Sequence, residues 1–248
     1  MLEEYIAVDL EMTGLRAKTD RILEIGAVQV RNGEICAEFS RMVNPLCTIS
    51  PQVQELTGIT QEMAEEGVPV DQAAGEFLEF AKDLVWVGHN IIYDYSFLKQ
   101  WAVNQKIPLQ KQAVDTLKIA RKCLPELEKK SLDYLCEYYG IIRAKRHRAC
   151  EDARATVQLY QILEEKFADS QEVLFRPRVL EYRVKRQTPA TPAQKNYLKE
   201  LAEYHKINLD MQLEQLSRSE ASRTIDRIIR QYGRMEVLRE RGNGMVRP

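Results

Sequence analysis

The sequence predicts an α/β domain with a mixed central sheet flanked by helices, followed by a small helical module. Three observations predict it. Strand-like runs at 22–30 and 35–43 are joined by Asn32-Gly33, short apolar runs then alternate with amphipathic segments as far as Phe167, and two helix-start signals follow at Thr191 and Ser217. With 248 residues, 44% hydrophobic and 29% charged, the chain can build a real core.

Taken in order, Tyr5 to Leu10 reads as a first strand, and Ile22 to Val30 and Ile35 to Val43 as a hairpin. Asn-Gly suits a two-residue turn because both positions need φ > 0. Gln72 to Leu84 places Ala73, Phe77, Phe80, Ala81 and Leu84 at helical spacing. Val85-Trp86-Val87, closed by Gly88, is a short strand, and Tyr95 to Val103 a helix. Val114 ends a further strand before a helix from Thr116, and Ser131 to Tyr139 is a helix stopped by Gly140. Ala149 to Phe167 is a long helix with Ala153, Thr156, Val157, Tyr160 and Leu163 inward. Strands first, then alternation, is the pattern of a mixed sheet covered by helices.

The expected boundaries are a domain over 1–168, a linker over 169–190, a small basic helical module over 191–235 and a flexible tail over 236–248. Thr191-Pro192-Ala193-Gln194 and Ser217-Arg218-Ser219-Glu220 are capping boxes. The last helix turns Ala221, Ile225, Ile228, Ile229 and Tyr232 inward, and Arg223, Arg227, Arg230 and Arg234 outward. Charge divides the same way: 177–248 hold 15 Lys/Arg against 9 Asp/Glu, whereas 1–176 hold 21 against 28. No apolar run reaches the 18 or so residues of a membrane span. The N-terminus lacks a secretory layout, and five cysteines without metal-ligand spacing read as reduced thiols, so the expectation is a cytoplasmic protein with no membrane partner.

Three short motifs carry chemistry. Asp9 and Glu11 are two apart on a strand and share a face. Two carboxylates so close repel by about 4 kcal/mol at an effective dielectric of 20, and a hard divalent cation relieves that. Solvated acids beyond an earlier strand end are the plain alternative. Gly88-His89-Asn90 leads to Asp94, which alone reads as a helix N-cap. His147 and Asp152 flank the start of the long helix, where Asp152 alone reads as compensation of the helix dipole. The run Arg143 to Arg148 is either a phosphate track or a solvated loop.

In this order and spread, Asp9-x-Glu11-x-Thr13-Gly14, Gly88-His89-Asn90-x-x-x-Asp94-x-x-x-Leu98 and His147-x-x-x-x-Asp152 resemble the motifs of the DEDDh (DnaQ-like) 3′→5′ exonucleases. Val43-Asn44-Pro45, Leu56-Thr57-Gly58-Ile59-Thr60 and Asp115-Thr116-Leu117 make residues 4–167 most similar to the proofreading type of bacterial DNA polymerase III. The resemblance implies an RNase H-like fold. It also implies that Asp9, Glu11, Asp94 and Asp152 hold two divalent ions, Mg²⁺ or Mn²⁺, with His147 as general base. Met12, Thr13, Leu15, His89 and Tyr93 would line the terminal-nucleotide pocket. The expected substrate is a nucleic-acid 3′ end, DNA favoured, with a DNA polymerase as a further partner. Met12 stands where the proofreading type usually carries Thr and is similar to oligoribonuclease, which keeps RNA open. A non-catalytic binding or polymerase-docking protein is the reading from another class. The presence of all five functional residues speaks against it.

Overall fold

Strand β1 (Glu4–Met12) pairs antiparallel with β2 (Ile22–Arg31), which pairs antiparallel with β3 (Glu34–Met42). The β2–β3 turn is Asn32 at φ 50 and Gly33 at φ 81, as the dipeptide predicts. These strands belong to a computed structural model that describes residues 2–144, 146–184, 186–209 and 212–235. The tail expected at 236–248 lies outside the described residues.

Two short helices, α1 (Pro51–Thr57) and α2 (Gln61–Glu65), precede α3 (Val70–Ala81). Then come β4 (Val85–Gly88), α4 (Ile92–Gln105), β5 (Gln112–Asp115), α5 (Thr116–Cys123) and α6 (Leu132–Tyr139). A long helix, α7 (Ala149–Phe175), carries a non-helical residue at Gln171 and leads to β6 (Arg178–Val179). The sheet order is β3-β2-β1-β4-β5-β6, with β1, β4 and β5 parallel and the other strands antiparallel to their neighbours.

The two faces of β1 explain where the site lies. Ile6, Val8 and Leu10 share a core with Phe77, Trp86, Tyr95 and Leu98, the layer of α3 and α4. Tyr5 and Ala7 share the opposite core with Val28, Leu135, Ala153, Tyr160 and Leu163, the layer of α6 and α7. Since side chains alternate along a strand, Asp9 and Glu11 extend the Tyr5–Ala7 row beneath the start of α7.

Four expectations change. The long helix runs eight residues beyond Phe167, and the segment expected as linker supplies β6 and a buried Leu180. Leu180 N–H also donates to the Lys111 carbonyl at 2.9 Å. The division between compact units falls between Arg186 and Gln187. In the second unit, α8 (Pro192–His205) and α9 (Arg218–Tyr232) both start with formed capping boxes. Their core is Leu198, Leu201, Leu216, Ala221 and Ile228. Thr224 is buried there, while Tyr232, expected inward, is exposed with its ring 5.6 Å from that of His205. Arg223, Arg227 and Arg230 are exposed. Among the described residues, no helix is long and apolar enough to cross a membrane.

Candidate active site

β1 remains a strand through both of its acids, which excludes the solvated alternative for Asp9 and Glu11. Asp9 pairs with Gly26 and Glu11 with Glu24 on β2, and the register shifts between Glu11 and Met12. Such an irregularity bends the strand locally and re-aims its side chains. Asp94 sits in the first turn of α4, which follows β4 beside β1. It is not the helix N-cap. Its Oδ1 accepts from the Leu10 backbone N–H at 2.9 Å, which ties α4 to the acidic end of β1.

Asp152 lies in the first turn of α7 and is buried. That turn rests on β2 at Gly26, where an added Cβ would stand 2.1 Å from the Ala149 carbonyl carbon. A glycine is required by close backbone approach here. The turn is thereby held above the strand position paired with Asp9. His147, just before the helix, has a left-handed backbone at φ 54. One ligand atom from each of Glu11, His147 and Asp152 lies within 4.8 Å of the others.

The electrostatics match this crowding. Burial, then the charges of Asp94, Glu11, Asp152 and Glu24, hold Asp9 well above the usual carboxylate range. Glu11 is pushed up to about 8 by burial and then by Asp152, Glu24 and Asp94, with Arg148 opposing. Asp94 rises to about 7 through burial, against hydrogen bonds from backbone N–H groups including Leu10. Asp152 is raised by burial and restrained by Arg143. Several acids whose charged forms are disfavoured, packed together at one end of the sheet, are the donor set that suits a hard divalent cation. The residues therefore fit a metal.

Arg143, part of the basic run, is buried and forks between Asp133 and Asp152, reaching Asp152 Oδ1 at 2.6 Å. Asp133 Oδ2 also stands 3.7 Å from His147 Nε2. Glu24 is a further buried acid, held by Arg148 in a two-point ion pair at 2.9 and 3.0 Å. Sequence reading assigns no role to Glu24, Gly26 or Asp133, and Arg143, read there as part of a phosphate track or a solvated loop, is instead an ion-pair partner of two acids. For the first two a signal existed: a charge and a glycine inside the apolar run of β2 mark a buried partner and a close approach.

The residues expected to meet the terminal nucleotide are placed variously. Met12, Thr13 and Leu15 follow Glu11 directly, with Met12 partly buried and Leu15 67% exposed. Thr13 Oγ1 accepts from Arg21 N–H at 2.8 Å, which folds the loop back. Tyr93 is 39% exposed, one residue before Asp94. His89 has both ring nitrogens engaged, with Lys130 O at 2.7 Å and Thr116 Oγ1 at 2.9 Å. A carbonyl only accepts, so Nε2 carries a proton, and burial lowers the pKa of the ring. Both ring nitrogens of His89 are thus already engaged within the protein.

A strand-borne Asp-x-Glu, two further acids on helix first turns and a histidine beside the last of them, on this mixed sheet, define the DnaQ-like 3′→5′ exonuclease class on an RNase H-like fold. The chain belongs to the exonuclease family, whose model matches residues 6–160. It is 34% identical over 171 residues to a DNA polymerase III of PolC type from Clostridium perfringens, covering 69% of this chain but 12% of that protein. Among solved structures it resembles exonuclease X bound to 5′-overhanging duplex DNA, with a TM-score of 0.55 and 24% identity, covering 66% of this chain and 93% of that one. It also resembles the nuclease domain of 3′hExo, a DEDDh family member bound to rAMP, at 0.58 and 17%, covering 73% and 98%.

Proposed function

We propose that this chain hydrolyses DNA from the 3′ end and releases nucleoside 5′-monophosphates in the service of proofreading or repair. The observation that carries the reading is the meeting of Asp9, Glu11, Asp94 and Asp152 with His147, brought from three separate parts of the chain to one end of the sheet. Asp9, Glu11, Asp94 and Asp152 hold two divalent ions, Mg²⁺ or Mn²⁺. Such a pair of ions supplies stabilisation of both the attacking and the leaving oxygen.

The chain's own groups do the rest. His147, on the loop before α7, takes the proton of the attacking water, a role worth roughly 10²–10⁴-fold. Met12, Thr13, Leu15, His89 and Tyr93 frame the terminal nucleotide. The second unit, with its exposed arginines on α9, is a binding or docking accessory. DNA and a partner polymerase are favoured by the PolC-type relative; a cytoplasmic site of action fits the same context.

A second reading changes the substrate to RNA or short oligoribonucleotides. Met12 and the rAMP-bound neighbour favour it. A 3′- and 5′-labelled oligonucleotide series, single-stranded DNA beside matched RNA and dinucleotides, tests both. The main reading expects mononucleotides from DNA 3′ ends and none from Asp152→Ala. Faster cleavage of RNA or dinucleotides moves the assignment to the second. Full activity of Asp152→Ala ends both.

A further inference from the structure

Glu24 neighbours Asp9 and Glu11, opposite Glu11 in the β1–β2 register and 1% exposed. Its surroundings set it apart from them. Oε2 accepts from Arg148 Nε at 2.9 Å and from the Ala149 backbone N–H at 3.2 Å. Oε1 accepts from Arg148 Nη2 at 3.0 Å and from Ser40 Oγ at 3.1 Å. Four donors fill the lone-pair directions of one carboxylate, so Glu24 has none left for a cation.

Three of those donors come from one short stretch, Arg148-Ala149. This stretch joins His147 to the helical turn that carries Asp152. Arg148 is the N-terminal flanking residue of α7, yet its side chain makes no capping hydrogen bond and goes to Glu24 instead. Gly26, two residues along β2 on the same face, lets the turn lie against the strand. The left-handed backbone at His147 costs of order 1 kcal/mol and persists only where its surroundings hold it. The fork between Glu24 and Arg148, on the very next residue, is one such hold, and it bridges chain segments 124 positions apart.

We infer that Glu24 and Arg148 form a positioning couple that sets His147 and Asp152 against Glu11, without either residue touching substrate or metal. A planar two-point ion pair fixes direction as well as distance, and Glu11 and Glu24 are cross-strand partners. The hold on Glu24 is therefore a hold on the spacing between β1 and the start of α7. Its kinetic consequence rests on the exonuclease reading, whereas its structural consequence does not.

The test uses the full chain with Glu24→Gln, Arg148→Lys and the double variant Glu24→Gln/Arg148→Met. The double variant removes both charges, so no unpaired ion is left to unfold the protein. Each is measured well below its melting temperature for kcat and KM on a 3′-labelled oligonucleotide, and by amide hydrogen exchange with Mn²⁺ absent. Misplacement of about 1 Å costs about 10²-fold, so Glu24→Gln is expected to lose about that in kcat with KM within a factor of two. Arg148→Lys keeps the charge, loses the fork and recovers only part of the rate. The double variant is expected to be no slower than Glu24→Gln, because both changes break one couple. In Glu24→Gln the Ala149 amide is expected to exchange at least tenfold faster.

Unchanged kcat in Glu24→Gln and in the double variant, with the wild type active, overturns the inference. Should the wild type cleave no nucleic acid, it is the functional reading that fails. The couple is then judged by exchange alone: faster exchange at Ala149 upholds it, and unchanged exchange overturns it.

Discussion

Replacing Glu11 with Gln should make the metal-free protein more stable and the metal-bound protein inactive. Burial and the neighbouring acids move Glu11 from 4.5 to about 8 in the folded chain. At 1.36 kcal/mol per tenfold, that displacement corresponds to about 5 kcal/mol of penalty on the charged form, shared among the interacting acids. A group with a raised folded pKa contributes its stability below the unfolded value and loses it as pH rises through the folded one. For Glu11 the window is pH 4.5 to about 8. Glu11→Gln removes that pH-dependent loss, and recovery of about 2 kcal/mol at pH 8.5 is expected, equal to roughly 4–8 °C in Tm for a unit of this size. The assay is thermal melting of both proteins in a chelator at pH 5.0, 7.0 and 8.5. The gap should be near zero at pH 5.0 and widen with pH. A variant less stable than the wild type at pH 8.5 would refute the reasoning, because the acids would then not be in conflict.

Two further outcomes follow from the geometry. His147→Ala should slow turnover by roughly 10²–10⁴-fold while Mn²⁺ still raises Tm, since the carboxylates remain; loss of the Mn²⁺ shift would make His147 a ligand instead of a base. Gly26→Ala should lower Tm by more than the roughly 2–4 °C that 1 kcal/mol represents, because its Cβ meets backbone of Ala149 and Cys150; melting with and without Mn²⁺ checks it, and an unchanged Tm would show that α7 does not press on β2.

What was legible in the sequence was local or periodic. The Asn32-Gly33 hairpin, the strand ending at Gly88 and the boxes at Thr191 and Ser217 depend on neighbours within a few residues, and the structure forms each of them. Helices α1 and α2, of seven and five residues, are too short for a 3.6-residue period to register, although Ser50 and Thr60 cap them. The strand β6 is two residues long and exists through pairing with β5, which no local pattern announces. Tyr232 follows the apolar spacing of α9, but a tyrosine at a helix end can put its ring on the surface against His205.

The site divides in the same way. Motif order offered the four acids and His147 as candidates, whereas the bond from Leu10 to Asp94 turns on a partner 84 positions away. Glu24 stands out as a charge inside an apolar run, but its partner was hidden for the same reason. A lone glutamate in β2 takes its meaning from Arg148, and their meeting is a property of the folded sheet.

The most direct test of the central claim is calorimetric titration of the metal-free protein with Mn²⁺, wild type beside Asp9→Asn and Asp152→Asn. Two ions bound per wild-type chain, with binding weakened or lost in both variants, is the predicted result. A wild type that binds no Mn²⁺ at millimolar concentration, or variants that bind as it does, would contradict it.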